Sequence, residues 1–156
     1  LAKNLGIERA AAASYIDRYF ARYPGVADYM ERTRSEAKAQ GYVETVFGRR
    51  LHLPEIRAQQ VGRRQAAERA AINAPMQGTA ADLIKKAMIA ASAWLRESGV
   101  KSKLILQVHD ELVLEVPDDE VALIREQIPK LMAGVAQLSV PLVAEVGVGA
   151  NWDEAH

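Results

Sequence analysis

The stretch Lys103-Leu104-Ile105-Leu106-Gln107-Val108-His109-Asp110-Glu111-Leu112-Val113-Leu114-Glu115-Val116 decides the fold of this chain. Two apolar runs flank a polar triplet, which predicts a β-hairpin with His109-Asp110-Glu111 at its tip. Turn tips readily accept aspartate, because its side chain can bond the backbone two residues on. Glutamate gains no such benefit, and two adjacent carboxylates repel. A turn built for stability alone would sooner use Asn-Gly or Asp-Gly. A pair of exposed carboxylates on a rigid hairpin suits magnesium or manganese, hard ions that take carboxylate oxygen, water and phosphate. Spacing alone leaves a merely solvated turn open as the alternative.

Upstream of the hairpin, Ile72, Met76, Leu83, Ile84, Met88, Ala91 and Leu95 keep a helical period from about Arg63 to Leu95. Pro75 sits inside this segment and predicts a kink near Ala71 to Pro75, since proline removes a backbone donor and crowds the preceding turn. Arg69, Asn73 and Gln77 are spaced i, i+4, i+8 on it. At about 100° per residue they fall within an arc of about 80° and span about 12 Å. All three donate hydrogen bonds. The minor groove of DNA presents acceptors at similar positions in every base pair, so such a stripe could test pair shape without reading sequence. An ordinary solvent-facing stripe has the same spacing.

Towards the N-terminus, helices are predicted over Glu8 to Tyr23, stopped by Pro24-Gly25, and over Val26 to Gln40, ended by Gly41. Tyr15, Ile16, Tyr19, Phe20 and Tyr23 form a helical stripe that reads as core. Short β-rich runs at 42–47 and 50–53 form a second hairpin around Gly48, with arginines on its return strand. Residues 54–62 connect two subregions. Downstream of the decisive hairpin, a helix opening near Pro117 buries Val121, Ile124, Ile128, Leu131 and Val135, with Pro129 as an interruption. Val140 to Val148 predicts a final strand. The fold class is α+β, with helices packed on a small antiparallel sheet.

Composition sets the frame. The 156 residues are 49% hydrophobic and 26% charged, values of a folded globular chain. No apolar run is long enough to span a bilayer and no secretory leader is present, so membrane insertion and secretion are disfavoured. With no cysteine, disulfides, thiolate metal sites and cysteine nucleophiles are excluded. A cytoplasmic location is expected. Leu1 stands where a start methionine would, which suggests a piece of a longer protein. Net charge is zero, but six arginines face three glutamates between Glu44 and Arg69, whereas seven acids face Arg125 alone between Val108 and Ile128. The asymmetry suits a polyanion at one place and a divalent cation at another, or two solvated faces of opposite sign. His52, His109 and His156 form no zinc pattern, and no GxGxxG, P-loop or GxSxG occurs. His52 reads as a surface residue, and Trp94 and Trp152 as packing anchors.

Glu68-Arg69-Ala70-Ala71-Ile72-Asn73-Ala74-Pro75-Met76-Gln77-Gly78-Thr79-Ala80-Ala81-Asp82, together with Gln107-Val108-His109-Asp110-Glu111-Leu112-Val113, resembles the C-terminal part of bacterial family A DNA polymerases of the polymerase I type. The second string looks like the family's motif C. Tyr19 to Gly25, Gly41 to Thr45 with Gly48-Arg49-Arg50, and Gly149-Ala150-Asn151-Trp152 extend the resemblance over almost the whole chain.

The resemblance implies a template-directed DNA polymerase, a nucleotidyltransferase of DNA replication and repair that extends a primer 3'-hydroxyl with deoxynucleoside triphosphates. It implies residues 1–62 as the trailing part of the fingers and 63–156 as the larger part of the palm. Asp110 would ligate Mg2+ with Glu111 assisting, two ions in the intact enzyme lying about 3.5–4 Å apart. Arg69, Asn73, Gln77 and His109 would meet primer-template DNA, and the protein would sit at the nucleoid. The family's other metal-binding aspartate, its nucleotide-binding fingers helix and its thumb have no counterpart in this sequence. The fragment is therefore expected to be inactive alone and to bind magnesium weakly. Without its partner strand the palm sheet would expose an edge, and self-association is expected. Two other readings stay open on spacing alone: a non-catalytic nucleic-acid-binding module using the arginine hairpin and the polar stripe, and a metal-dependent nuclease centred on Asp110 and Glu111.

Overall fold

The structure, a computed structural model, describes residues 2–155. It is α+β, as the sequence predicts, with two separate two-stranded antiparallel sheets among six α-helices of the described residues. The chain divides into two compact units, Leu1–Met76 and Gln77–His156, with the boundary immediately after Pro75 and Met76.

In the first unit, α1 (Ala2–Leu5) precedes α2 (Arg9–Arg22) and α3 (Pro24–Gln40). Pro24 starts α3 where the sequence suggested a stop. At the first helical position a missing N–H costs nothing and the fixed φ is already helical. Gly41 closes α3 in the left-handed conformation (φ 82°), its N–H bonded to the Ala37 carbonyl at 2.8 Å. Strands β1 (Tyr42–Glu44) and β2 (Arg50–His52) form the expected hairpin, with Val43 opposite Leu51. After a 3-10 turn over Pro54–Arg57, helix α4 runs from Val61 to Glu97, through Pro75 without interruption.

Polar side chains lock this unit at helix ends. Arg57 donates to the Lys38 and Ala39 carbonyls of the last turn of α3, at 2.6 and 2.7 Å, satisfying acceptors that the helix cannot. Lys38 pairs with Glu68 at 2.8 Å, tying α3 to α4 and holding the Glu68 carboxyl below its ordinary range. The core beneath is built of Ala37, Val43, Leu53, Ile56, Ala67 and Ala71.

The aromatic stripe of α2 departs from expectation. Tyr15, Ile16, Tyr19 and Tyr23 are 42–56% exposed, and Ala12 alone is buried on that helix. The α2 stripe is amphipathic, but this unit's core uses α3, the hairpin and α4. Tyr19 packs instead against its own helix neighbours Phe20 and Tyr23, with ring centroids 5.5 and 5.1 Å apart.

In the second unit, β3 (Lys103–Val108) and β4 (Glu111–Glu115) pair antiparallel, and α5 (Val121–Ala133) follows, continuing through Pro129. Ile105 is an extra residue in the ladder between Leu104 and Leu106, a bulge that leaves Ile105 and Leu106 about half exposed. An isolated hairpin is marginal in water, so this one depends on its apolar face. Leu104, Leu112 and Leu114 pack on the Ala91, Leu95, Ile124 and Ile128 core, where Trp94 also packs as expected.

Residues 140–148 form no strand among the described residues. The alternation that predicted one survives, since Leu142, Ala144 and Val146 are half-buried between exposed neighbours. Alternation fixes which side faces apolar surface, but a strand also needs a ladder partner, and no strand pairs with this segment. The chain then enters a short helix, α6 (Trp152–Ala155). His156 lies outside the described residues.

Candidate functional site

The tip of the β3–β4 hairpin is tighter than its sequence suggests. Val108 pairs with Glu111, so the connection is the two-residue loop His109-Asp110. A loop this short needs positive φ, and His109 supplies it at 51°, the one non-glycine residue in that region among those described. Histidine tolerates this conformation better than most side chains, yet it is strained relative to the glycine that turn chemistry would choose. Gln107 braces the loop by donating to the His109 carbonyl at 2.6 Å.

Asp110 stands exposed at the tip, as expected. Glu111 does not share it. As the first residue of β4 it is half-buried, and its Oε2 accepts a hydrogen bond from the Trp152 indole Nε1 at 3.4 Å. Trp152, read from the sequence as a packing anchor, is 46% exposed and uses its N–H. Among the described residues no group of three or more His, Cys, Asp or Glu side chains could hold a metal ion. Asp110 and Glu111 are therefore at most part of a coordination set.

The remaining candidates lie on α4. Arg69 and Asn73, one turn apart, are exposed in the first unit, and Gln77, also exposed, opens the second. The arginine-rich hairpin, by contrast, is largely committed to structure. Arg50 pairs with Glu44 at 2.6 Å and lies 4.5 Å over the Tyr42 ring, and both neighbours hold its guanidinium in the charged form, the Glu44 hydrogen bond most of all. Arg57 caps α3, and Arg63 reaches Glu55 at 3.7 Å. Much of the basic excess in this region thus holds the fold together. His52 is a surface strand residue, its ring 5.7 Å from that of Tyr42.

Sequence profiles of known families identify the setting of these residues. The profile of DNA polymerase family A matches residues 1–154. The chain belongs to DNA polymerase family A. It is 65% identical over its whole length to DNA polymerase I of Pseudomonas aeruginosa and 48% identical over 155 residues to DNA polymerase I of Streptococcus pneumoniae. These matches span 17% and 18% of the two relatives' lengths. Among solved structures it superposes on the POL domain of Pol1 from M. smegmatis in complex with DNA primer-template and dNTP, with a TM-score of 0.96 at 42% identity. That match covers 99% of this chain and 27% of the other.

Two features of this family A chain escaped the sequence reading. The first is the link from Trp152 to Glu111, 41 residues apart. Its traceable signal is Asn151 followed three residues later by Glu154, a helix-capping pattern that would have placed α6. The second is Glu120, which gathers the N–H groups of Lys101 and Ser102 at 2.7 and 2.8 Å and the Ser102 hydroxyl at 2.5 Å. It reads in sequence as one more acid of a charged run.

Proposed function

We propose that this chain is the fingers-to-palm segment of a template-directed DNA polymerase. In this reading residues 1–62 belong to the fingers and 63–156 to the palm, and the protein acts on primer-template DNA and deoxynucleoside triphosphates at the nucleoid. The observation that carries it is the family A match over 1–154, a span in which Asp110 stands exposed on a braced two-residue turn. The structural relative captured with DNA primer-template and dNTP supports the same substrates.

The donors fit a hard divalent ion in kind. Asp110 offers an exposed carboxylate and Glu111 a second one on the adjoining strand. Two carboxylates fall short of a full set, and no larger group of such ligands occurs among the described residues. Mg2+ held there, two ions in the intact enzyme, would supply activation of the primer 3'-hydroxyl and neutralisation of charge on the leaving pyrophosphate. Asp110 would be the ligand and Glu111 an assisting carboxylate. His109, held at the same turn, lies by the primer terminus. Arg69, Asn73 and Gln77 donate to minor-groove acceptors of the nascent duplex, positioning it without reading sequence. The fragment alone, lacking the other ligands, does not polymerise, and its exposed Ile105 and Leu106 favour self-association.

Primer extension with magnesium and four deoxynucleotides tests the proposal on the intact parent and its Asp110→Ala variant. Extension by the parent alone is expected. Equal extension by both removes Asp110 from the chemistry, and extension by the isolated fragment overturns the claim that it is incomplete.

A further inference from the structure

Three features converge on the few residues after the second glycine of Gly147-Val148-Gly149. First, α6 is only one turn long, a length that does not hold itself in water. Asn151 and Glu154 compensate as a capping pair. The Glu154 N–H donates to Asn151 Oδ1 at 3.1 Å, while the Glu154 carboxylate accepts from the Ala150 N–H at 3.1 Å and from Asn151 Nδ2 at 2.8 Å. Second, α6 folds back onto its own lead-in. A Cβ on Gly147 would overlap the Ala155 carbonyl, and one on Gly149 would lie 2.6 Å from the Glu154 side chain and 2.8 Å from the Ala155 nitrogen. Only glycine allows this approach. Third, this placement carries the Trp152 indole N–H to Oε2 of Glu111, next in sequence to Asp110.

A tryptophan recruited only for its apolar bulk would be buried, yet this one is 46% exposed. The geometry points to Trp152 as a positioning residue of the catalytic centre: its indole N–H holds the Glu111 carboxylate in one orientation beside Asp110, and the Gly147-Gly149 fold-back with the Asn151-Glu154 cap exists to deliver it. This rests on the polymerase reading above and extends it, because it assigns a second element, the C-terminal helix, to the motif C hairpin. A carboxylate at the start of a strand has several rotamers, and one fixed donor removes that freedom before a metal or substrate must. At 3.4 Å the bond is long, so its effect is modest.

The test uses the intact parent polymerase. Trp152→Phe keeps the ring and removes the N–H. It should lower kcat about three- to fivefold, an effect of up to about 1 kcal/mol, and raise the magnesium concentration needed for half-maximal rate. The Kd for primer-template should not change. In a Glu111→Ala background the same change should have no further effect. A readout independent of activity is the 19F resonance of Trp152 in 5-fluorotryptophan-labelled parent, identified by its loss in Trp152→Phe, which should move on Glu111→Ala. Gly147→Ala, which displaces α6 with Trp152 itself intact, should reproduce the kinetic pattern of Trp152→Phe. Wild-type kinetics for Trp152→Phe, multiplicative losses with Glu111→Ala, or an unmoved resonance each overturn the inference. An active Asp110→Ala parent would instead remove the polymerase reading beneath it, so the two failures are distinct.

Discussion

Gln107 and His109 are joined across the hairpin tip by a 2.6 Å hydrogen bond from the Gln107 side-chain amide to the His109 carbonyl. The bond spans the residue at which the backbone turns left-handed, φ 51°. A left-handed non-glycine residue persists only when its surroundings over-determine it. Gln107 is part of what holds Asp110 at a fixed place.

Gln107→Ala should therefore loosen the tip. A single net hydrogen bond contributes about 1 kcal/mol, or about fivefold in rate if all of it reaches the transition state. The expected outcome in the parent enzyme is a fall in kcat of a few-fold with primer-template affinity unchanged. Single-turnover extension beside a DNA-binding titration checks it. An equal fall in affinity would show that Gln107 acts on the duplex and not on the turn.

Glu120 gives a pH-dependent prediction. Hydrogen bonds from the Lys101 N–H, then the Ser102 hydroxyl, hold its carboxyl below the ordinary carboxylate range. A depressed folded pKa means stability that is present above the unfolded value and is lost as pH falls through the folded one. Glu120→Ala should lower Tm at neutral pH, and the gap from wild type should close as the medium is acidified below the usual carboxylate range. Thermal melts of the two proteins from pH 7 downward read this directly. A gap that stays constant with pH would assign the loss to packing.

Tyr29 makes the corresponding contact in the first unit. Its hydroxyl donates to the Ile72 carbonyl at 2.9 Å, next to the Ala71 carbonyl that Pro75 leaves without its helical donor. Tyr29→Phe keeps the ring and removes this tie one residue from the carbonyl that Pro75 leaves without its helical donor. A loss of about 1 kcal/mol is expected by urea denaturation. If Pro75→Ala is introduced first, the helix regains its own donor and the cost of Tyr29→Phe should shrink. Equal costs in both backgrounds would show that the two residues act independently.

The boundaries that local chemistry dictates were legible. Gly41, the apolar runs on both sides of His109, and the apolar period of α5 each set an element that the structure contains. Motif strings placed the family because Asp110, Asn73 and Gln77 sit in long, specific runs. Whatever depends on a partner was not legible. The α2 tyrosines and the apolar positions of 140–148 have the patterns of core and strand, but a pattern states which face prefers cover and not whether cover is supplied. Trp152 misled for a related reason. Bulk suggests burial, whereas its polar edge found Glu111 through a helix whose start depended on Asn151 and Glu154.

Gln77 separates duplex positioning from charge attraction. It is neutral and exposed, so under the proposed role it contributes a hydrogen bond to a minor-groove acceptor and releases no counterion. Gln77→Ala in the parent should weaken primer-template binding about fivefold, the value of about 1 kcal/mol. The loss should be the same at low and high salt, because the slope of affinity against salt counts neutralised phosphates alone. It should also be the same for A·T and G·C terminal pairs, since purine N3 and pyrimidine O2 acceptors occur in both. Arg69→Ala tests the contrast: if its guanidinium reaches phosphate, the salt slope falls by about one. Binding titrations of both variants across salt and terminal pair decide this, and a Gln77→Ala effect confined to one pair would replace shape testing with sequence reading.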